Sequence, residues 1–354
     1  MNFTRRSSLQ RTTTHPDSRV YLHCIIPPAM RADLHIIASC TKRKRAPVPP
    51  ELRLRELRET EPGLRARHWW SRLHEHPLPT RPAQELYAGE HWSVVLELPA
   101  LASQARLRPR LWVASAGYGL IPSDAPIRPY SATFSQDDED AVVPRHPSRP
   151  ASTLSQQWWM ALAQQPGPSP GEPRTLHHLA RSSPDARILV VASAHYIRAL
   201  EEDLTLAARA LRSPEHLLVI STPGPASRGA LAPHWVPSNA RLQSSLGGTR
   251  NALHVRLARD LLRRAQEEDA AAPARYLDAT RVQGYYGRLI RRSAPPPRFE
   301  RAPMTDDEVR RFIAREMRTE QRTWSAMLRR LRDSGLACEQ KRFRRLFHEL
   351  QERP

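Results

Sequence analysis

Short apolar runs are spaced along the first two thirds of the chain, and polar or turn-forming residues bound each of them. The clearest runs are residues 34–39, 111–115, 186–193 and 217–221. Continuous apolar runs of this length are typical of strands buried on both faces in a parallel sheet. Amphipathic stretches such as 196–211 and 251–265 lie between or after them with helical spacing. The alternation predicts an α/β fold with a mostly parallel sheet covered by helices.

The pattern changes after the proline-rich segment 294–297, where the strand signals end and three short helices are predicted. Thr305 and Glu308 form a capping box at the start of the first helix. Gly335 lies in the turn before the third helix. The predicted apolar positions are Val309, Phe312, Ile313, Met317, Trp324, Met327, Leu328, Leu331, Phe343, Leu346, Phe347 and Leu350. A small all-α module of the helix-turn-helix type is therefore predicted at the C-terminal end.

These patterns predict three parts of the chain. Residues 1–30 are polar and patternless, so they are expected to be a disordered extension or to precede a true start at Met30. Residues 31–293 are expected to form the α/β domain, which would bind a nucleotide or base. Residues 303–354 are expected to form the helical module that binds nucleic acid.

The charge of the chain favours a polyanionic partner. The chain has 55 Lys and Arg against 36 Asp and Glu, for a net charge of +19. Such an excess is typical of proteins that bind nucleic acid. However, only three of the basic residues are Lys, and Pro and Ala are frequent. This composition is also typical of a GC-rich genome, so the charge alone leaves both interpretations open.

Several classes of protein are excluded by simple patterns. The apolar runs are far shorter than the roughly 20 residues of a membrane helix. Cys24, Cys40 and Cys338 are too few and too scattered for a disulfide scaffold, and they lack zinc-type spacing. The first residues contain an Arg pair but no apolar segment, so no secretion signal is expected. We expect a cytoplasmic protein without a metal or other cofactor.

The predicted strands end in similar polar residues, namely Ser followed by small or hydroxyl residues. In open α/β sheets, ligands bind outside the carboxyl ends of the strands. Serine and glycine also end strands for purely structural reasons, but four such ends favour a shared ligand crevice. Tyr130 is added as a base-stacking candidate. The predicted ligand-binding residues are Ser39, Thr41, Lys42, Arg43, Ser115, Gly117, Tyr118, Tyr130, Ser193, Tyr196, Ser221 and Thr222.

Two further motifs are candidates for chemistry. Cys40 follows the first strand, and the basic residues at 42–45 would favour its thiolate, so it is the candidate nucleophile. The alternative is a structural cysteine, because the sequence identifies no partner base. The segment 247–249, Gly-Gly-Thr before a helix, could present backbone N–H groups to phosphate, although it matches neither the P-loop nor the dinucleotide-binding fingerprint.

The third terminal helix carries the predicted nucleic-acid contacts. If its apolar residues face the core, Lys341, Arg344 and Arg345 project outward near one another. Such a cluster would contact phosphates, which set affinity rather than sequence preference. The alternative is a solvated basic face on an arginine-rich protein.

One part of the chain also resembles known families. Residues 115–130, SAGYGLIPSDAPIRPY, are similar to the signature of the peroxide-stress YaaA family. Residues 36–135, from IIASCTKRKR through ELYAGEHW to IRPYSATFS, resemble more closely an uncharacterised domain family, DUF6884. The resemblance implies a compact α/β domain that handles DNA or nucleotide bases, in DNA modification, stress or phage defence. It adds Gly119 and Pro129 to the expected ligand-binding residues.

Taken together, these features predict a DNA-interacting protein, with tRNA as the alternative nucleic acid. Its α/β domain would bind a nucleotide or base, and its helical module would contact phosphates. Two alternatives stay open. One is a base-modifying enzyme that acts on 7-deazaguanine-type bases through Cys40, and the other is a non-catalytic scaffold that binds proteins of a defence or modification system.

Overall fold

The computed structural model describes residues 31–144, 147, 149–267, 273–296, 300–319 and 323–351. The extension expected at residues 1–30 lies outside this description. The chain divides into two compact units. The first comprises the described part of Met1–Ser238 together with His254–Tyr286, and the second comprises the described parts of Asn239–Leu253 and Gly287–Pro354.

A mainly parallel sheet forms the core of the first unit. The described strands of this unit are β1 (Asp33–Ser39), β2 (Arg81–Pro82), β3 (Arg108–Ser115), β4 (Gly119–Pro122), β5 (Pro126–Ile127), β6 (Arg187–Val191), β7 (Leu217–Ser221) and β8 (Trp235–Pro237). The sheet has the order β4-β3-β1-β6-β7-β8, and every neighbouring pair is parallel except β3 and β4. Strands β2 and β5 form a separate antiparallel pair.

Helices alternate with these strands and cover the sheet, which confirms the predicted α/β fold. Before the terminal module, the described helices are α1 (Pro62–Glu75), α2 (Ala83–Leu86), α3 (Glu90–Val95), α4 (Leu98–Gln104), α5 (Ala151–Ala163), α6 (Leu176–Ser182), α7 (Ala194–Ala210), α8 (Gln243–Leu246), α9 (Leu253–Glu267) and α10 (Ala279–Arg292). None of the helices in the described ranges is both long and apolar enough to cross a membrane.

Strand β1 lies at the centre of the sheet, between β3 and β6. Ile36 and Ile37 are fully buried, and Ile37 pairs with Trp112 on one side and Val190 on the other. Strands buried on both faces are typically rich in apolar residues at successive positions, as at Ile36, Ile37 and Ala38. The carboxyl end of β1 therefore lies beside the ends of β3 and β6.

The structure differs from the predicted strands at several places, of which two concern the main sheet beside the site and at its edges. Strand β6 ends at Val191 rather than at Ser193, because Ser193 is the residue that precedes α7. Strands β4 and β8 lie at the two edges of the sheet and were not predicted. Both are short and end in proline, which is tolerated at a sheet edge but makes the residues resemble a turn in the sequence.

Asp203 on α7 joins three helices of the first unit. Its carboxylate accepts hydrogen bonds from Trp159 Nε1 (2.9 Å) on α5 and from the backbone N–H groups of Leu176 and His177 (both 2.8 Å) at the start of α6. Burial raises the pKa of Asp203, against these hydrogen bonds. The carboxylate satisfies donors that would otherwise be buried without partners.

The second unit contains the three predicted terminal helices. They are α11 (Asp306–Thr319), α12 (Trp324–Asp333) and α13 (Gln340–Gln351). The capping box is present, because Thr305 N donates to Glu308 Oε2 (2.7 Å) and Glu308 N donates to Thr305 Oγ1 (3.3 Å). The buried core consists of Val309, Phe312, Ile313, Met327, Leu328, Leu331, Cys338, Phe343, Leu346 and Phe347.

A short parallel pair, β9 (Ala302–Pro303) and β10 (Leu336–Ala337), links the turn after α12 to the start of the module. Gly335 begins this turn with a φ of +81°, a conformation that glycine adopts without strain. Its carbonyl accepts the Ala302 N–H at 3.0 Å. The sequence did not predict this pair, because two residues are too few to form a strand pattern.

We expect Asp203→Ala to destabilise the first unit on the order of 3 kcal/mol or more, since three buried donors lose their acceptor. Chemical denaturation would measure this change. Glu202→Ala is the matched control, because Glu202 is exposed on the same helix and its loss should change stability by about 0.5 kcal/mol or less. Equal effects of the two variants would contradict the role given to Asp203.

Candidate functional site

Buried polar side chains meet at the carboxyl ends of β1 and β3. Cys40 follows β1, Ser115 ends β3, and Tyr130 lies in the segment after β5. The Tyr130 hydroxyl lies 2.7 Å from Ser115 Oγ and donates to Cys40 Sγ at 3.3 Å. The structure thus brings together three residues that the sequence analysis selected separately.

Two more tyrosines complete the hydrogen bonds of this group. Tyr196, in the first turn of α7, has its hydroxyl 3.0 Å from Cys40 Sγ. Tyr87, after α2, has its hydroxyl 3.0 Å from that of Tyr130. Tyr196 was among the predicted residues, whereas Tyr87 was not. Tyr87 lies in the segment ELYAGEHW, which contributed to the family resemblance. This segment was the signal in the sequence from which Tyr87 could have been selected.

Lys44 adds an amine to the group. Its Nζ lies 4.3 Å from the ring centre of Tyr130 and 5.7 Å from that of Tyr87, and it donates to the Thr41 carbonyl at 3.0 Å. Burial lowers the pKa of Lys44 from 10.5 to about 8, against the opposing influence of Cys40. We call Cys40, Lys44, Tyr87, Ser115, Tyr130 and Tyr196 the strand-end cluster.

The phenols of the strand-end cluster keep their protons at neutral pH, so they can serve as hydrogen-bond donors. Burial raises the pKa of Tyr87, Tyr130 and Tyr196 well above the usual 10. Protonated hydroxyls fixed in a buried site can stabilise negative charge on a sulfur or oxygen atom. An amine that titrates near pH 8 can hold or release a proton under physiological conditions.

The loop after β1 contains three predicted ligand-binding residues, Thr41, Lys42 and Arg43, and none of their described contacts joins them to the strand-end cluster through a side chain. Lys42 is exposed and forms an ion pair with Asp138. Thr41 Oγ1 donates to the Arg43 carbonyl at 3.0 Å, and the Arg43 side chain is exposed. Of the basic residues in this loop, Lys44 is the one that reaches the strand-end cluster, and the sequence analysis did not single it out.

Gly117 allows the close packing of Tyr130. A Cβ atom at position 117 would lie 2.4 Å from the Tyr130 ring, which no side chain could accept without displacement. The indole N–H of Trp69 donates to the Gly117 carbonyl and that of Trp158 donates to the Ala116 carbonyl, both at 2.8 Å. The segment after β3 is therefore held in place from two helices.

The other residues of this segment shape the wall beside the cluster. Tyr118 is buried, and its hydroxyl accepts the Arg128 N–H at 3.0 Å. Arg174 donates to the Tyr118 carbonyl at 2.6 Å. Gly119 has a φ of +75° and begins β4, and Pro129 is buried immediately before Tyr130. Their described contacts give these residues structural roles beside the cluster.

The ends of β6 and β7 contribute differently. Ser193 precedes α7, the helix that carries Tyr196, and its carbonyl accepts the N–H of Ile197 at 3.0 Å. Ser221 is fully buried, and its carbonyl accepts the N–H of Ser238, the residue after β8, at 2.9 Å. Thr222 Oγ1 lies 3.4 Å from Ser238 Oγ. Among the described contacts, none joins Ser221 or Thr222 to the strand-end cluster.

A pair of buried histidines lies behind the end of β1. His91 Nε2 is 3.2 Å from the carbonyl of Ser39, which is itself buried, and the ring centres of His91 and His254 are 4.8 Å apart. Burial lowers the pKa of His91 to about 4 and that of His254 to about 3. Both rings are therefore neutral at physiological pH. No spacing pattern in the sequence relates them.

The predicted nucleic-acid contacts lie on α13, in the second unit. Lys341, Arg344 and Arg345 are all exposed. Arg345 forms ion pairs with Glu349 (2.6 Å) and Asp306 (3.2 Å), so part of its charge is neutralised. The Arg344 guanidinium lies instead 5.8 Å from the Trp324 ring centre.

Comparisons of the chain with protein-family models, with curated proteins and with solved structures gave no match. Within the described residues, no group of three or more His, Cys, Asp and Glu could hold a metal ion. The fold and the strand-end cluster define an α/β protein with a buried thiol, an amine and phenols at the carboxyl ends of its parallel strands.

We expect Lys44→Met to stabilise the protein at pH 7 on the order of 3 kcal/mol, and we expect this gain to shrink as the pH rises from about 8 to 10.5. Below pH 8, Lys44 is charged in both the folded and the unfolded state, so the full cost of burying the charge is present. Between pH 8 and 10.5, the unfolded state binds more protons, so the stability of the parent rises toward that of the variant.

Denaturant unfolding of both proteins across this pH range would measure the difference. Lys42→Met is the matched control, because Lys42 is exposed and its ion pair should contribute about 1 kcal/mol or less. A gain for Lys44→Met that stays constant from pH 7 to 10.5 would contradict the lowered pKa.

Proposed function

We propose that this protein binds DNA, with tRNA as the alternative nucleic acid, and that its strand-end cluster holds a nucleotide or base. The observation that carries DNA binding is the exposed basic side of α13. Phe343, Leu346 and Phe347 bury the opposite side of this helix, so Lys341 and Arg344 face solvent. The net charge of +19 supports the same partner.

The contacts around α13 show which of its basic residues form ion pairs within the module. Arg342 pairs with Asp306 at 2.5 Å and Arg345 pairs with Asp306 and Glu349, so these two residues hold α13 against its neighbours. We assign the phosphate contacts to the three exposed residues Lys341, Arg344 and Arg345. Contacts of this kind set affinity and orientation rather than sequence preference.

Three observations support base binding at the strand-end cluster. The cluster lies at the carboxyl ends of parallel strands, where open α/β sheets bind their ligands. It combines aromatic rings with hydrogen-bonding hydroxyls, which suit a nucleobase. The resemblance of residues 36–135 to the DUF6884 and YaaA families supports a role in DNA modification, stress or phage defence. We also propose a cytoplasmic location, since Cys40 and Cys338 are free thiols.

We expect the parent protein to bind a duplex with an affinity that falls steeply with salt, because released counterions drive the association. Lys341→Ala/Arg344→Ala should weaken binding similarly across sequences and lower the salt slope by up to about two. Fluorescence anisotropy with a labelled duplex at several salt concentrations would measure both effects.

Arg67→Ala/Arg209→Ala is the matched control, because it removes two exposed positive charges from the first unit. Absent or salt-independent binding by the parent would overturn the proposal. If the Lys341/Arg344 variant binds the duplex as tightly as the parent, α13 does not contact DNA. The helix would then be a docking surface for a partner protein, as in a defence scaffold.

A base-modifying enzyme is the second candidate function, and the surroundings of Cys40 favour it. Two tyrosine hydroxyls lie within 3.3 Å of its Sγ, and Lys44 provides an amine in the same cluster. In this mechanism the Cys40 thiolate adds to an electrophilic carbon of a 7-deazaguanine-type base. A C–S bond forms, the π bond of that carbon breaks, and its electron pair moves to the other atom of the π bond. The Lys44 ammonium then gives its proton to the atom of the base that receives the displaced electron pair.

For this second function, we expect Cys40→Ser to abolish formation of the modified nucleoside while DNA affinity is retained. Mass spectrometry of nucleosides from cells that carry each variant would measure the product. Cys338→Ser is the control, because it removes a second buried thiol in the other unit. Unchanged modification in a folded Cys40→Ser variant would leave Cys40 with a structural role.

A further inference from the structure

The second unit contains a cleft that the contacts of α13 do not explain. Its volume is about 850 Å³, which suits a nucleotide-sized ligand. Arg241, Arg250 and Arg301 line it, and Pro295 and Pro296 give it an apolar wall. None of the described residues that line it is acidic. The combination of cations and an apolar wall matches the phosphate and the base of a nucleotide.

The Gly-Gly-Thr segment lies at this cleft. Gly247 and Gly248 have φ values of +69° and +73°, and Gly248 and Thr249 are among the lining residues. Gln243 Nε2 donates to the Gly248 carbonyl at 2.8 Å, which fixes the loop. Since Gly248 has no side chain, a ligand can approach the backbone closely at this point.

A second cleft of about 320 Å³ is lined by Arg301 as well. Trp324 and Arg329 line it too, and its acidic lining residue is Asp333. Arg301 Nε donates to the Arg332 carbonyl at 2.9 Å, which holds the Arg301 side chain where the two clefts meet. The second cleft therefore offers an aromatic ring next to the same arginine.

The distribution of charge along the chain points to the same region. Residues 239–253 and 287–302 contain seven Arg and one acidic residue, Glu300. Residues 303–354 contain 13 Lys and Arg against nine Asp and Glu. The excess positive charge of the second unit is thus densest along the two segments that contain the lining residues of the larger cleft.

We propose that these two clefts, joined at Arg301, form one path for a single-stranded segment of nucleic acid. The larger cleft holds a nucleotide between its arginines and its proline wall, and Trp324 stacks on a base in the smaller cleft. The clefts are of the size of single nucleotides, and stacking on an aromatic side chain requires a base that is not paired in a duplex. This inference rests on the proposed nucleic-acid binding and names a surface separate from Lys341 and Arg344.

Anisotropy with a labelled oligothymidylate of about 12 nucleotides tests the path. Arg241→Ala/Arg250→Ala should weaken binding about tenfold or more and lower the salt slope by about 1.4, as expected for two phosphate contacts on a single strand. Arg67→Ala/Arg209→Ala, with the same change in charge, should bind within about twofold of the parent, since both residues lie in the first unit.

Trp324 is tested with two variants, because it also packs against the core of the module. Trp324→Leu should weaken binding of the oligothymidylate about tenfold through loss of stacking, and Trp324→Phe should retain most of the affinity. Thermal melting shows whether each variant is folded. Equal binding by folded Leu and Phe variants would exclude stacking on Trp324.

The outcomes separate this inference from the proposed function. If the parent binds neither the oligothymidylate nor a duplex, nucleic-acid binding itself is wrong. If the parent binds both ligands and Arg241→Ala/Arg250→Ala binds the oligothymidylate as the parent does, the cleft path alone is wrong. If that variant loses the single strand and keeps the duplex, the path is confirmed as a separate site.

Discussion

The hydroxyl of Tyr130 must find its hydrogen bonds inside the protein, and much of the first unit is arranged around this constraint. The residue is fully buried, and its hydroxyl contacts Ser115, Cys40 and Tyr87. The ring fits because position 117 is glycine, and Lys44 lies over its face. A buried polar group without a partner would cost about 1–3 kcal/mol, so the contacts of Tyr130 tie the ends of β1 and β3 to the segment after β5.

Lys44 is the member of this arrangement that stability does not require. Burial of a charged amine is unfavourable, as its lowered pKa shows. Tyr87 and Tyr130 could pack against an apolar side chain at position 44 equally well. Residues with strongly perturbed ionisation near a strand end are common at functional sites. The buried amine of Lys44 is therefore the feature of the strand-end cluster that most supports the proposed chemical role.

The sequence predicted the fold well where the physical signal was local. Strand β1, the capping box at Thr305 and the core of the terminal helices follow from periodicity and capping. Cys40, Ser115, Tyr130 and Tyr196 were predicted from their places after strands or in an aromatic motif, and parallel strands bring such places together. Tyr87 and the His91–His254 pair come close to the cluster through tertiary packing across many residues, for which a single sequence carries no periodic signal. Lys44 lies in the basic segment 42–45, but the pattern does not show which of its residues turns inward. The short strands β2, β4, β5, β8, β9 and β10 were missed because each has only two to four residues, too few to form a strand pattern.

In the second unit, the position of the acidic residues decides where positive charge is available. Asp306 and Glu349 form ion pairs with arginines of α11 and α13. Part of the positive charge on these helices is therefore neutralised within the module. The arginine-rich segments 239–253 and 287–302 contain Glu300 as their one acidic residue. These segments therefore carry a larger excess of positive over negative residues than the helices that follow them. Release of counterions is what favours binding of a polyanion, and it favours binding most where arginines are dense and acidic neighbours are few.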